Sequence, residues 1–274
     1  FKIVHGTPNR PEVEDVSKLS DQELVRLQSH KDVWYSRHAR RVLQERAARG
    51  VDMSLASAQL SQILATSGDV VLRLRALWCL HAMDRCDEKM LIGLLDDADE
   101  HIRTWGIRLL FDAGTPTEAG LAAIRALATK EQSGLVLTHI ASGLRRLGAA
   151  DRFGLAETIM SKSRFAADPV LPHMVWFALE SVTASDPSRA ATLAAGPKFG
   201  EIRRYLARRL AQESDRPDLL APMLAAAARP EARGIREEIL AGIADAHVQD
   251  RKAPKPKGWD ELAKAAGMDA DPSV

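Results

Sequence analysis

The chain has 274 residues, 46% of them hydrophobic and weighted toward Leu and Ala, and 38 Lys and Arg balance 37 Asp and Glu to a formal net charge of +1. That much apolar side chain supports a sizeable core and excludes global disorder, while so small a net charge compels neither a nucleic-acid nor a membrane partner. Two cysteines exclude a disulfide framework, and no apolar run is long enough to cross a bilayer.

Residues 1–16 come first. Phe1-Lys2-Ile3-Val4-His5 alternates and is expected to be the end of a preceding β domain, with 6–16, rich in Pro and charge, as linker. A chain that starts at Phe1 rather than Met is expected to be a processed or excised piece. From 17 to 247 the sequence alternates between two kinds of predicted helix. One kind covers 20–29, 54–66, 87–95, 117–129, 152–163, 187–195 and 218–228. Ser20-Asp21-Gln22-Glu23 reads as a capping box, in which the Ser and Glu side chains each satisfy an orphan N–H at the helix start. Thr115-Pro116-Thr117-Glu118 reads as a cap at Thr115 with Pro at the first helical position, and Asp186-Pro187 and Asp215-Arg216-Pro217 follow the same grammar.

The other kind carries a repeating stripe. An apolar anchor is followed after four residues by a usually small residue and after eight by an apolar one. The anchors are Tyr35, Leu72, Ile102, Leu137, Met174, Ile202 and Ile235. Positions 0, +4 and +8 fall on one edge of a helix, and a small middle residue lets a neighbouring helix come close. Glycine in mid-helix costs up to about 1 kcal/mol relative to Ala, so Gly106 at such a position is expected to mark a close approach. Four anchors are followed directly by arginine: Arg73, Arg103, Arg203 and Arg236. The fourth copy departs, with Arg145 at +8, and the fifth lacks the arginine, so their register is open. After Ala246, Arg251-Lys252-Ala253-Pro254-Lys255-Pro256-Lys257-Gly258 cannot sustain a helix, whereas Trp259–Ala266 can form a short one. Residues 248–274 are therefore a Pro/Lys linker and a short helix opening a further segment. Neither end reads as a polar capping repeat, which again points to a piece of something longer.

The fold these patterns predict is all-α: an α-α superhelix of about seven helical hairpins over 17–247. The apolar-Arg anchor with a small residue at +4 resembles HEAT repeats, in their shorter bacterial form. Several stretches together resemble one family more narrowly. They are Leu19 to Leu24 with Trp34 to Arg41, Leu74 to Ala82, His101 to Leu110, and Leu171 to Glu180. These look like the HEAT region of planctomycete-type membrane-bound dehydrogenases, the PVC-type haem-binding CxxCH proteins. The resemblance implies a preceding β-propeller and a following c-type cytochrome module. It also implies export, hence a periplasmic or cell-surface location. This sequence has no C-x-x-C-H and no propeller, so no haem site and no catalytic residue carries over.

Leu77 to Cys86, LWCLHAMDRC, holds both cysteines and a histidine, but Cys79 and His81 lie two apart on a helix and cannot share a metal. Cys79 and Cys86 would be about 10 Å apart along a helix, too far for a disulfide unless the helix end unwinds. Cys79 therefore reads as a buried packing thiol. Asp96-Asp97-Ala98-Asp99-Glu100 lacks the glycine turn and distal Glu of a calcium loop and reads as a solvated turn. Trp105, Phe177 and Tyr205 share the +3 position and read as a column packed between repeats. At +6, where counterparts are mostly polar, stand Arg41, Trp78, Arg108 and Arg208, the candidate concave-surface binding residues, with Trp78 reading first as packed between repeats and otherwise as a binding aromatic on an inner groove. No HExxH, phosphate-loop or Gly-x-Ser-x-Gly pattern is present, so no catalytic, metal or cofactor site is assigned. The sequence thus reads as a non-catalytic scaffold for a protein or neighbouring domain, without membrane insertion. The alternative reading is a nucleic-acid binder using an Arg-lined concave groove.

Overall fold

A computed structural model describes residues 6, 15–196, 199–213, 215–248 and 255–267. The strand expected at 1–5, most of the 6–16 linker and residues 249–254 lie outside this range. The fold is all-α. Fifteen α-helices occur among the described residues, joined by short 3-10 turns, and no strand is found there. They are α1 Asp21–Arg26, α2 Val33–Ala48, α3 Ser54–Thr66, α4 Val70–Ala82, α5 Glu88–Leu94, α6 Glu100–Asp112, α7 Glu118–Lys130 and α8 Gly134–Gly143. There follow α9 Ala149–Met160, α10 Leu171–Leu179, α11 Pro187–Ala195, α12 Gly200–Ala211, α13 Ala221–Ala227, α14 Arg233–Ala246 and α15 Trp259–Ala266. The seven anchors fall on the even-numbered helices α2 to α14.

Helix starts follow the side chains available to accept orphan N–H groups. Ser20 and Glu23 form the predicted box, with the Ser20 N–H donating to the Glu23 carboxylate at 2.8 Å. Asp32, Asp69, Asp87, Ser133 and Asp186 cap α2, α4, α5, α8 and α11. Two starts move from their expected positions. Thr117, not Thr115, caps α7 by accepting from the Gly120 N–H, and Thr115 instead donates to the Arg146 carbonyl at 2.9 Å. After Asp215 the chain turns before α13 begins at Ala221, so Pro217 lies ahead of the helix rather than in its first turn.

The chain divides into two compact units, 1–102 and 103–274, with the division in the first turn of α6. In the first unit α1 packs on α2 and α3, and α4 packs on α2 and α3. In the second, α8, α10, α12 and α14 pack each on the next, as do α7, α9, α11, α13 and α15. Each unit is therefore built in the solenoid manner, helix hairpin upon helix hairpin. The stripes supply the interior: Tyr35, Ala39 and Leu43 on α2, and Ile202, Leu206 and Leu210 on α12, are all buried. Each fully buried Leu or Ile contributes about 1.5–3 kcal/mol relative to exposure. The two doubtful copies shift register. On α10 the buried residues are Leu171, Pro172, Val175, Ala178 and Leu179, so Met174 is not the inward anchor. On α8 the helix tightens to a 3-10 turn at Leu144–Arg146, which buries Leu144 and leaves Arg145 outside.

Small residues mark the closest approaches. A Cβ at Gly242 on α14 would lie 2.2 Å from the Arg204 carbonyl oxygen of α12. A Cβ at Gly143 on α8 would lie 2.2 Å from the Phe111 ring of α6. Gly106 is buried, as expected of a mid-stripe position.

Candidate functional site

The arginines decide how much of the surface is left for a partner. Arg73, at the start of α4, donates through Nε to the Leu64 carbonyl at the end of α3 (2.7 Å), and its Nη1 donates to Asp97 at 3.1 Å. Arg203 does the same on α12, from Nε to the Ala194 carbonyl at 2.6 Å and from Nη2 to Gly196 at 3.0 Å. On α14, Arg236 Nε donates to the Ala227 carbonyl at 3.1 Å. In all three the acceptor lies nine residues back, at the C-terminal end of the preceding helix. The cation meets the negative end of that helix and satisfies a carbonyl that has no partner within it. Arg103 forms a fork on Glu131 through Nε and Nη2, at 2.8 and 2.9 Å.

Glu131 is 4% exposed and also accepts from the backbone N–H groups of Gln132 and Ser133, each at 2.8 Å. Burial alone would raise its pKa, but the Arg103 hydrogen bond and those two N–H groups outweigh it and hold the carboxyl below the usual range. Arg203 is itself buried, and desolvation lowers its pKa against the pull of Glu238, whose Oε1 lies 3.3 Å from Nη1. Sequence reasoning placed the arginines but not these acids. Asp97, Glu131 and Glu238 follow their arginines by 24, 28 and 35 residues. With no constant spacing, no periodic signal pointed to them. Asp97 in particular is not a freely solvated turn residue but holds Arg73, while Asp99 accepts from the His101 N–H at the start of α6. No group of three or more His, Cys, Asp or Glu suited to a metal occurs among the described residues.

The +6 residues behave otherwise. Within the first unit, Arg41 on α2 is exposed and, among the described residues, reaches only Glu45 of its own helix, at 2.8 Å. Trp78 on α4 is half-buried beneath the guanidinium of Arg40, which stands 5.5 Å from the ring centroid. The indole thus packs against the neighbouring hairpin. Its neighbour Cys79 is fully buried, and desolvation pushes the thiol up to about 12; Cys86, also a free thiol, is pushed up to about 11. His81 is exposed on another face of the helix. The helix end between the cysteines is closed by Asp84, in the left-handed region at φ 59°, with the Arg85 N–H donating to the Leu80 carbonyl.

Within the second unit, Arg108 is exposed and lies over the ring of Trp105, 4.1 Å from its centroid. Arg208 is exposed at a shallow hollow shared with Glu201, Arg204, Tyr205 and Asp245. There the charges are largely spent on one another. Arg204 forks onto Asp245 at 2.6 and 2.9 Å, holding that carboxyl low, and Tyr205 donates to Glu201 at 2.7 Å, which raises the phenol's pKa. The +3 aromatics do not form one buried column: Phe177 is 47% exposed, whereas Tyr205 packs on Trp176 of α10 with centroids 5.3 Å apart.

Comparison of the sequence with protein-family models gives no match, and comparison with curated proteins gives none either.

Proposed function

We propose that this chain is a non-catalytic, HEAT-like repeat scaffold that contacts another protein or a neighbouring domain of the same polypeptide. The observation that carries this reading is the division of labour among the arginines. Those next to the anchors are consumed in joining helices, while Arg41, Arg108 and Arg208 at +6 stay at the surface with short-range partners at most. In each unit the +6 residues mix charge with a neighbouring aromatic ring, a character that suits the rim of a protein interface. On the resemblance of Trp34 to Arg41, Leu74 to Ala82 and His101 to Leu110, the parent polypeptide is an exported, dehydrogenase-like multidomain protein at the periplasm or cell surface. A C-x-x-C-H encoded beyond residue 274 is its expected signature.

The test places a photoactivatable residue at position 41 or 208 of the polypeptide as its source organism makes it. Cross-links to a second protein or to a flanking domain are expected. Cross-links to nucleic acid would instead favour the alternative groove reading, which the exposure of Arg41, Arg108 and Arg208 keeps open. Labelled duplex would then be held at low salt and released steeply as salt rises.

A further inference from the structure

In the first unit, α1 and α3 flank a hollow of about 440 Å³ that no assigned role uses. Its floor is apolar, made by the buried Val25 with the half-buried Ile63 and Leu72. Its walls carry Gln22 and Arg26 from α1, and Gln59 and Gln62 from α3. Among the described residues none of these four side chains has a hydrogen-bond or ion-pair partner. Three amides and a guanidinium, all able to donate, are thus unspent along one apolar trough. The two acids of α1 make their short contacts elsewhere, although Glu23, whose carboxyl the Ser20 hydrogen bonds hold low, also feels the Arg26 charge in the same direction. Asp21 pairs with Arg46, and Glu23 closes the capping box with Ser20. No carboxylate lines the hollow, so its one fixed charge is positive.

The dimensions suit an extended chain. From Gln59 to Thr66 the wall runs about 10 Å at the helical rise, the length of about three residues of extended peptide. Gln amides offer both a donor and an acceptor, which is what a peptide backbone without a sheet partner needs. The apolar floor takes alternate side chains, and Arg26 takes a carboxylate. We infer that the α1–α3 trough is a docking site for an extended, carboxylate-bearing segment of a partner polypeptide, with Arg26 recognising the acid and Gln22, Gln59 and Gln62 the backbone. The inference rests on the scaffold reading and gives its partner a chemistry.

The probe is an acetylated, amidated hexapeptide alternating Leu and Glu, titrated into the ¹⁵N-labelled chain. Saturable shifts are expected at the side-chain amides of Gln22, Gln59 and Gln62. The R26A variant is expected to weaken binding about fivefold, the effect of one exposed charge pair, and R26K to retain most of it. Because Arg26 is exposed, R26A leaves the rest of the spectrum in place. Absence of these shifts at millimolar peptide, equal shifts with a Leu/Lys peptide, or unchanged affinity in R26A would overturn the inference. Equal shifts with inorganic phosphate would do the same, by reducing the trough to a bare anion site. If the peptide fails while positions 41 and 208 still cross-link to protein, the trough falls and the scaffold reading stands; peptide binding without those cross-links keeps the trough and overturns positions 41 and 208 as the contact surface.

Discussion

Arg103 and Arg236 occupy the same place in their hairpins, directly after an apolar anchor, yet their surroundings differ. Arg103 turns its Nε and Nη2 onto a carboxylate that is almost wholly shielded from water. Among the described residues Arg236 meets carbonyls only, of Ala227, Arg229 and Ala265, and two of those contacts are 3.4 Å long. The difference teaches that a cation at this position can clasp a helix-end carbonyl, as Arg73, Arg203 and Arg236 do, and that the acid is a separate contact, present at Arg73, Arg103 and Arg203. Where the acid is added and buried, the pair becomes costly to break, because either partner alone is a stranded charge.

Replacing Arg103 with Met therefore has the largest expected effect. It strands Glu131 and should cost about 3–5 kcal/mol in urea unfolding. A loss no greater than that of R236M would break the comparison. R103M/E131Q should recover part of the loss. The pH dependence sharpens the point. The folded pKa of Glu131 is lowered from 4.5, so its stabilisation is fully present above pH 4.5 and is lost as pH falls through the lower folded value. E131Q should flatten that acid-side loss and leave the profile near neutrality unchanged in shape.

Next in size is G242A. The added methyl meets backbone on α12, which cannot rotate away, so the two helices must part, at about 3 kcal/mol. Because Arg203 reaches Glu238 on α14 but Ala194 on its own side, G242A should weaken the acid contact and spare the carbonyl one. Hydrogen exchange that slows or stays unchanged on α14 in G242A would contradict this. The smallest effect belongs to R236M, which removes hydrogen bonds to neutral carbonyls near solvent and should cost about 1 kcal/mol.

The helices were largely legible because hydrophobic stripes and caps are local signals. The spans 54–66, 187–195 and 259–266 match α3, α11 and α15. Register failed where geometry changes within a helix: the 3-10 turn at Leu144–Arg146 brings Leu144 inward one residue before the stripe expects it. On α10, Leu171 and Val175, one turn apart, are buried, while Met174 is only half-buried. Of the +6 residues, Arg41, Arg108 and Arg208 are at the surface, and Trp78 alone is partly covered. What covers it, Arg40, sits on a different helix, and sequence spacing carries no information on such pairs. The α1–α3 trough escaped for a related reason. Gln22 and Arg26 lie one turn apart, and so do Gln59 and Gln62, but nothing in the sequence says that the two pairs face one another.

The nine-residue reach of Arg73, Arg203 and Arg236 has a consequence for how such a chain changes over generations. Each clasp closes entirely inside one hairpin, between a side chain and a carbonyl that are copied together whenever the hairpin is copied. A duplicated hairpin would arrive with its own fastening and need no matching residue in its neighbour. Arrays fastened this way can lengthen or shorten by whole units, whereas the contacts to Asp97, Glu131 and Glu238 reach beyond the hairpin and would need a matching acid in the neighbour.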